Sequence, residues 1–288
     1  MPYRSGPPFV PGSILDPERR PAVPQARLPG PEACPGPEGP PVPDRDILRQ
    51  CAVAAAVAGG ILSGATGDYG DAEKSTSRVL PANYAFTIWF PIYAGVLGYA
   101  GFQALPAQRR HQLLRRTGGP VAAAVGLSGL WVRTSSPAAQ LPLIAATTSA
   151  ALLGYARAAP VDQAERTSAA DRWLVRVPLG LFSGWITLAA GAAVTELLID
   201  RGVRAPRPGA DFWGTALLAS LAGASAAVTR RLPVSAAYPA AVAWGLAGTA
   251  VRTLPRYRAP GIAAALGSGA VAFAGLRAAR RNAAAENG

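Results

Sequence analysis

From residue 46 to residue 281 the chain is divided by small clusters of charge into eight uncharged runs, 51–67, 79–108, 117–132, 134–156, 177–195, 212–229, 232–251 and 259–276. A helix needs about 20 apolar residues, within a range of roughly 17–25, to cross the hydrocarbon core of a bilayer. Six of the runs meet that length; 117–132 is short and 51–67 marginal. A backbone group without a hydrogen bond in lipid costs several kcal/mol, so runs of this kind must be helical. The expected fold class is therefore all-α, a polytopic transmembrane helical bundle of about eight spans over 46–281. Composition agrees, with 50% hydrophobic and only 15% charged residues. Mean hydropathy is +0.20 despite a polar start that holds half of the 28 prolines before residue 44. Residues 1–45 cannot bury enough apolar surface to offset their ordering entropy and are expected to be a disordered, proline-rich tail of polyproline II character. No apolar h-region follows a basic start, so the tail does not read as a secretory signal.

The net charge is +12, and every basic residue except Lys74 is arginine. A sequence pI near 10.7 would ordinarily raise nucleic-acid binding. The arginines, however, sit between the apolar runs, as loop charges of a membrane protein do, so nucleic acid is not expected as a partner and the lipid bilayer is. Eight crossings put both termini on one side. The loops on that side hold fifteen basic residues, including Arg109, Arg110, Arg115, Arg116, Arg230 and Arg231, against nine on the other. This bias places both termini in the cytoplasm of a multi-pass protein of the cell (plasma) membrane. Cys34 and Cys51 cannot build a disulfide framework or a structural zinc site, and His111 is the sole histidine. No nucleophile elbow, P-loop or carboxylate pair inside one predicted pocket appears, so no enzyme, catalytic residue, metal site or required cofactor is expected.

The most informative stretch is 80–110, LPANYAFTIWFPIYAGVLGYAGFQALPAQRR. Phe86, Trp89 and Tyr93 recur at i, i+3 and i+7, so their rings share one helical stripe. GLSGLWVR (126–133), RWLVRVPLGLFSGWITLAAGAAV (172–194) and YPAAVAWGLAG (238–248) complete a set of motifs. Together they resemble the tryptophan-rich sensory protein, or translocator protein (TspO/MBR), family in its longer bacterial branch. The resemblance covers about residues 47–250. It implies five shared helices over about 47–200, followed by about three additional helices over about 210–277. Where that family's third helix usually carries Asn, this chain has Ser128 or Gly129; where the fifth ends its polar stripe with Asn, it has Ala193.

What the resemblance implies for function is an aromatic-lined pocket for a hydrophobic small molecule, a porphyrin or haem-like ligand, in a protein acting as sensor, buffer or carrier, and a homodimer. The candidate ligand-binding residues are Asn83, Tyr84, Phe86, Trp89, Tyr93, Trp131 and Trp185. Trp and Tyr offer broad faces to a flat apolar molecule and a polar tip to its rim. For Trp89, Tyr93 and Trp185 ordinary packing competes with ligand lining, and Trp131 beside Arg133 also reads as interfacial. Asn83 reads either as an N-cap or as a rim contact. Trp173 and Trp213 lie at span ends as anchors do. Gly180 with Gly184, and Gly245 with Thr249, read as close helix packing, and Pro91, Pro142, Pro178 and Pro239 as tolerated kinks. Cys51 reads as a packing residue or a palmitoylation site, Glu196 and Asp200 as solvated loop acids rather than members of a proton or ion pathway, and His111 as part of a basic interfacial loop. Two other functions stay open: a secondary transporter of a small molecule, or a degenerate family member acting as a membrane scaffold through its tail.

Overall fold

In the computed structural model, residues 44–67, 74–135, 137–160, 168–232 and 234–286 are described; nearly all of the proline-rich tail lies outside them. Eight long helices account for most of these residues: α1 (Arg45–Ala65), α2 (Trp89–Ala104), α3 (Gln112–Arg133), α4 (Pro137–Arg157), α5 (Val177–Asp200), α6 (Ala210–Arg231), α7 (Ala237–Thr253) and α8 (Arg258–Glu286). A 3-10 turn, Asn83–Ile88, feeds α2, and a π turn, Arg172–Arg176, feeds α5. No strand occurs among the described residues. Five helical stretches are long and apolar enough to cross a membrane by length and composition: Arg45–Ala65, Asn83–Ala104, Ala169–Asp200, Ala210–Arg231 and Arg258–Arg281.

The helices run past the boundaries that charge alone draws. The run 117–132 is too short because Arg115 and Arg116 precede it, yet α3 begins at Gln112 and carries both arginines inside. Arg115 is accommodated because its guanidinium grips both carboxylate oxygens of Asp46 in the first turn of α1, with Nε at 2.9 and 3.1 Å. The same pair explains why α1 starts six residues before the charge-free run. Pro142 lies well inside α4, and Pro91 and Pro178 lie within the continuous helical stretches Asn83–Ala104 and Ala169–Asp200, just after the 3-10 turn and the π turn. Pro239 occupies the first turn of α7, where the missing N–H has no ladder partner to lose. Pro178 follows the π turn, in which the Val177 N–H reaches back to Arg172 O and leaves room for the ring.

Helix contacts close a ring in the order α1–α2–α5–α4–α3, with α3 returning to α1. An outer layer stacks on it: α7 lies against α5, α8 against α7, and α6 against α8. Because α5 touches both layers, half of its 24 residues are buried, whereas α6 buries five of 22. An apolar helix covered all round belongs to a core. The outward faces are equally apolar, with Phe90 76% and Leu266 70% exposed. Surface of this kind is matched by lipid tails rather than water.

Glycine sets the closest approaches. A methyl group at Gly184 would stand 2.5 Å from the Tyr238 carbonyl oxygen, and one at Gly245 would stand 2.2 Å from Leu188 Cδ2. Gly180, Gly184 and Gly245 thus lie in the α5–α7 contact, whereas Thr249 donates to Val79 O. Gly184→Ala must displace backbone and should lower the thermal midpoint in detergent, at a cost of about 1–3 kcal/mol. Gly223→Ala, facing open space on α6, should leave the midpoint unchanged or raise it. Equal effects of the two substitutions would contradict the close α5–α7 approach.

Candidate functional site

The 3-10 turn places Phe86, and the first turn of α2 places Trp89 and Tyr93, facing α5. The rings of Trp89 and Tyr93 are stacked, 5.2 Å apart and 23° from parallel. Trp185 of α5 meets Trp89 edge-on at 6.4 Å and Phe86 edge-on at 5.5 Å. Phe182, one turn earlier on α5, lies 6.4 Å from Trp89. Four of the seven candidate residues therefore form one aromatic cluster, with Trp185 only 2% exposed. The other three stand apart. Asn83 is exposed and opens the 3-10 turn; the N-cap is Ala82, which makes no side-chain capping bond, so the capping role does not hold. Tyr84 turns outward to meet Trp244 edge-on at 5.8 Å. Trp131 is half-buried near the end of α3, at the margin of the core.

Beside the cluster is a void of about 10 Å³, bounded by Gly60 and Gly64 of α1, Trp89 and Tyr93 of α2, Val125 and Ser128 of α3, and Phe182. Its free interior has room for about one water-sized sphere. A second void of about 10 Å³ lies further along the ring, between Tyr99, Val121, Ala151, Gly154 and Ser183. Val96, Val125 and Phe182 border both. The ring interior is thus one apolar column divided at Phe182. Ser128 faces the first void. Both voids are narrower than drug-sized ligands require, so a flat guest enters only if side chains or helices part.

The two ends of the column are closed differently. At the end where α1 and α3 begin, Arg115 holds Asp46, and Arg49 donates from Nη2 to Arg109 O at 2.8 Å. Gln103, fully buried, donates to Gln50 O at 3.0 Å while Gln50 donates back to Gln103 O. Tyr99 and Thr117 share a hydroxyl–hydroxyl bond of 2.9 Å. At the other end, residues 74–82 lead into the 3-10 turn as an irregular strap, and α7 supplies donors to its carbonyls. Thr249 Oγ1 donates to Val79 O at 3.1 Å, and Arg252 donates to the carbonyls of Ser75, Ser77 and Leu80.

Several residues had other roles than the sequence suggested. Glu196 accepts a 2.7 Å bond from Ser75 Oγ rather than standing as a solvated loop acid. Cys51 is exposed rather than packed. His111 lies 3.4 Å from Asp171 across the α2–α3 and α4–α5 connections. Trp173 and Trp213 are exposed near helix starts, as interfacial anchors are. Phe182, Trp244 and Arg252 carry no local signal in the sequence, because their contacts join segments distant in the chain. Among the described residues there is no group of three or more His, Cys, Asp or Glu that could hold a metal ion.

Ring order, outer layer and apolar exterior define a multi-pass helical membrane protein. The family model described as TSPO-like protein matches residues 50–277, and the chain belongs to that family. No curated protein and no solved structure matches it. Since Phe182 divides the column, Phe182→Ala should join the two voids and cost about 3–5 kcal/mol. Benzene or xenon filling the joined space should restore part of the lost thermal midpoint. A midpoint insensitive to either guest would contradict a continuous column.

Proposed function

We propose that the cluster of Phe86, Trp89, Tyr93 and Trp185 binds a flat hydrophobic molecule, probed here as a tetrapyrrole, and that the protein acts as its sensor, buffer or carrier in the membrane. The observation that carries this reading is the arrangement of stacked and edge-on aromatic rings beside an apolar void inside the ring. Such rings present wide apolar faces to a planar guest, and edge-to-face pairs retain favourable quadrupole contacts when one partner is exchanged for a ligand. Asn83, Tyr84 and Trp131 lie outside the cluster and would contribute only at its margins. The role is one of binding rather than catalysis.

In the membrane, we place both termini in the cytoplasm of the cell (plasma) membrane, on the side where Arg109, Arg110, Arg115 and Arg116 gather. The strapped end then faces outward. The homodimer that the family resemblance implies is part of the same reading.

Titrating the detergent-purified protein with protoporphyrin should quench tryptophan fluorescence saturably at micromolar ligand. Trp89→Phe and Trp185→Phe should each weaken the apparent affinity several-fold, because each removes an indole that contacts the guest. Trp213→Phe, at an exposed helix start, should leave it unchanged. Quenching that does not saturate, or that follows Trp213 as strongly as Trp89, would overturn the assignment.

A further inference from the structure

We propose that α6 and α8, at the ends that carry Arg230, Arg277 and Arg281, form a binding site for one anionic phospholipid. The three guanidiniums hold its phosphate, and an acyl chain lies in the shallow groove between the two helices. The site is separate from the aromatic cluster, and it stands whatever that cluster binds.

Two contacts fix how α6 and α8 lie. A methyl group at Gly214 of α6 would stand 3.8 Å from Pro260 Cγ, and one at Gly267 of α8 would stand 2.8 Å from Ala222 Cβ. Both pairings advance together along the chain, so the helices are parallel and their C-terminal parts lie side by side. The same register sets Arg230 level with Gly275 and Leu276. At a rise of 1.5 Å per residue, Arg277 stands about 2 Å and Arg281 about 8 Å further along the axis.

Arg230 and Arg231 close α6, and Arg277, Arg280 and Arg281 follow on α8; all five are exposed. Among the described residues, none of the five lies within ion-pair distance of a carboxylate. At the same end of the ring, by contrast, Asp46 holds Arg115 and Asp171 faces His111. Cations at a helix C-terminus complement its dipole, which accounts for Arg230 and Arg231. The arginines of α8 have no such reason, because that helix runs on to Glu286.

The helical period gathers three of the five on one flank. Ala219, Gly223, Ala226 and Arg230 recur at i, i+4, i+7 and i+11 on α6. Leu266, Ala270, Phe273 and Arg277 repeat the same spacing on α8, with Arg281 one turn further. Leu221 of α6 packs onto Gly191 of α5, and Pro239 of α7 packs onto Gly275 of α8, so the rest of the body covers the opposite side of the pair. Gly223 faces open space, with nothing within 4 Å of where a methyl group would stand. Small residues thus floor the groove, and the exposed side chains of Leu266 and Phe273 wall it. Arg277 lies over the Phe273 ring at 5.2 Å, which holds its guanidinium at the top of the apolar stretch. From Leu266 to Arg277 the axis rises about 16 Å, close to half the hydrocarbon core and so to the depth of one leaflet. Guanidinium forks match phosphate oxygens, and basic side chains at the membrane surface favour anionic lipids. A zwitterionic lipid would bring its own cation against the cluster, so the occupant is an anionic one.

The full chain, delipidated in a neutral detergent, is titrated with dioleoyl phosphatidylglycerol or dioleoyl phosphatidylcholine, and bound lipid is counted by native mass spectrometry. The anionic lipid should bind at least about five-fold more tightly. Arg230→Gln, Arg277→Gln and Arg281→Gln together should weaken it by about ten-fold or more and abolish the preference. Arg45→Gln, Arg110→Gln and Arg157→Gln, which remove the same charge from exposed positions elsewhere, should leave it unchanged. Gly223→Leu fills the groove without altering charge and should weaken phosphatidylglycerol several-fold, a test that serves even if the first triple variant does not fold. Equal binding of the two lipids, or an equal loss in both triple variants, would overturn the site. Undiminished binding to the Gly223→Leu protein would overturn the groove. Displacement of the lipid by an equal concentration of glycerol 3-phosphate would overturn the lipid as occupant in favour of a free phosphate.

Discussion

Backbone hydrogen bonding in a medium without water is the constraint from which the rest of this structure follows. It forces nearly every crossing residue into a helix, where N–H and C=O groups satisfy each other. Where the chain departs from helix, donors arrive from elsewhere: from Arg252 and Thr249 to the carbonyls of residues 75–80, and from Trp244 to Ala85. The same rule shapes the prolines, where Pro178 follows a π turn and Pro91 a 3-10 turn within continuous helical stretches, and Pro239 stands in a first turn with no internal bond to break. The exterior needs no polar cover, and the helices are held instead by glycines that let backbones touch.

That constraint was plain in the sequence as eight uncharged runs, and the helical, membrane-spanning architecture was legible from them. The boundaries were less so. A charge ends a run on paper, but Arg115 continues α3 because Asp46 on another helix neutralises it, and only the fold brings the two together. The i, i+3, i+7 spacing of Phe86, Trp89 and Tyr93 correctly put their rings on one side, and Trp185 joined them from the motif on α5. Phe182 escaped notice because a Phe inside an apolar run has no distinguishing neighbour. Trp244 and Arg252 escaped because they act on residues more than 150 positions away. Asn83 illustrates the converse: its type suits capping, but Ala82 occupies the cap and Asn83 stands inside the turn.

The outer helices change what the five-helix ring is. α5 is buried between two layers, so the ring wall bearing Trp185 is backed by α7 rather than by lipid. The strap that leads into Phe86 and Trp89 is bonded to that same helix. One end of the apolar column is tied off by a compact polar network around Asp46, Gln50 and Gln103. The other is closed by borrowed hydrogen bonds across an interface.

All of these relations presuppose that lipid surrounds the body formed by α1 to α8. Washing membranes from cells expressing the chain at alkaline carbonate pH, followed by ultracentrifugation, tests that directly. The protein should remain in the membrane pellet and enter solution only with detergent. Recovery of folded, monodisperse protein in the supernatant without detergent would contradict the account from its first step.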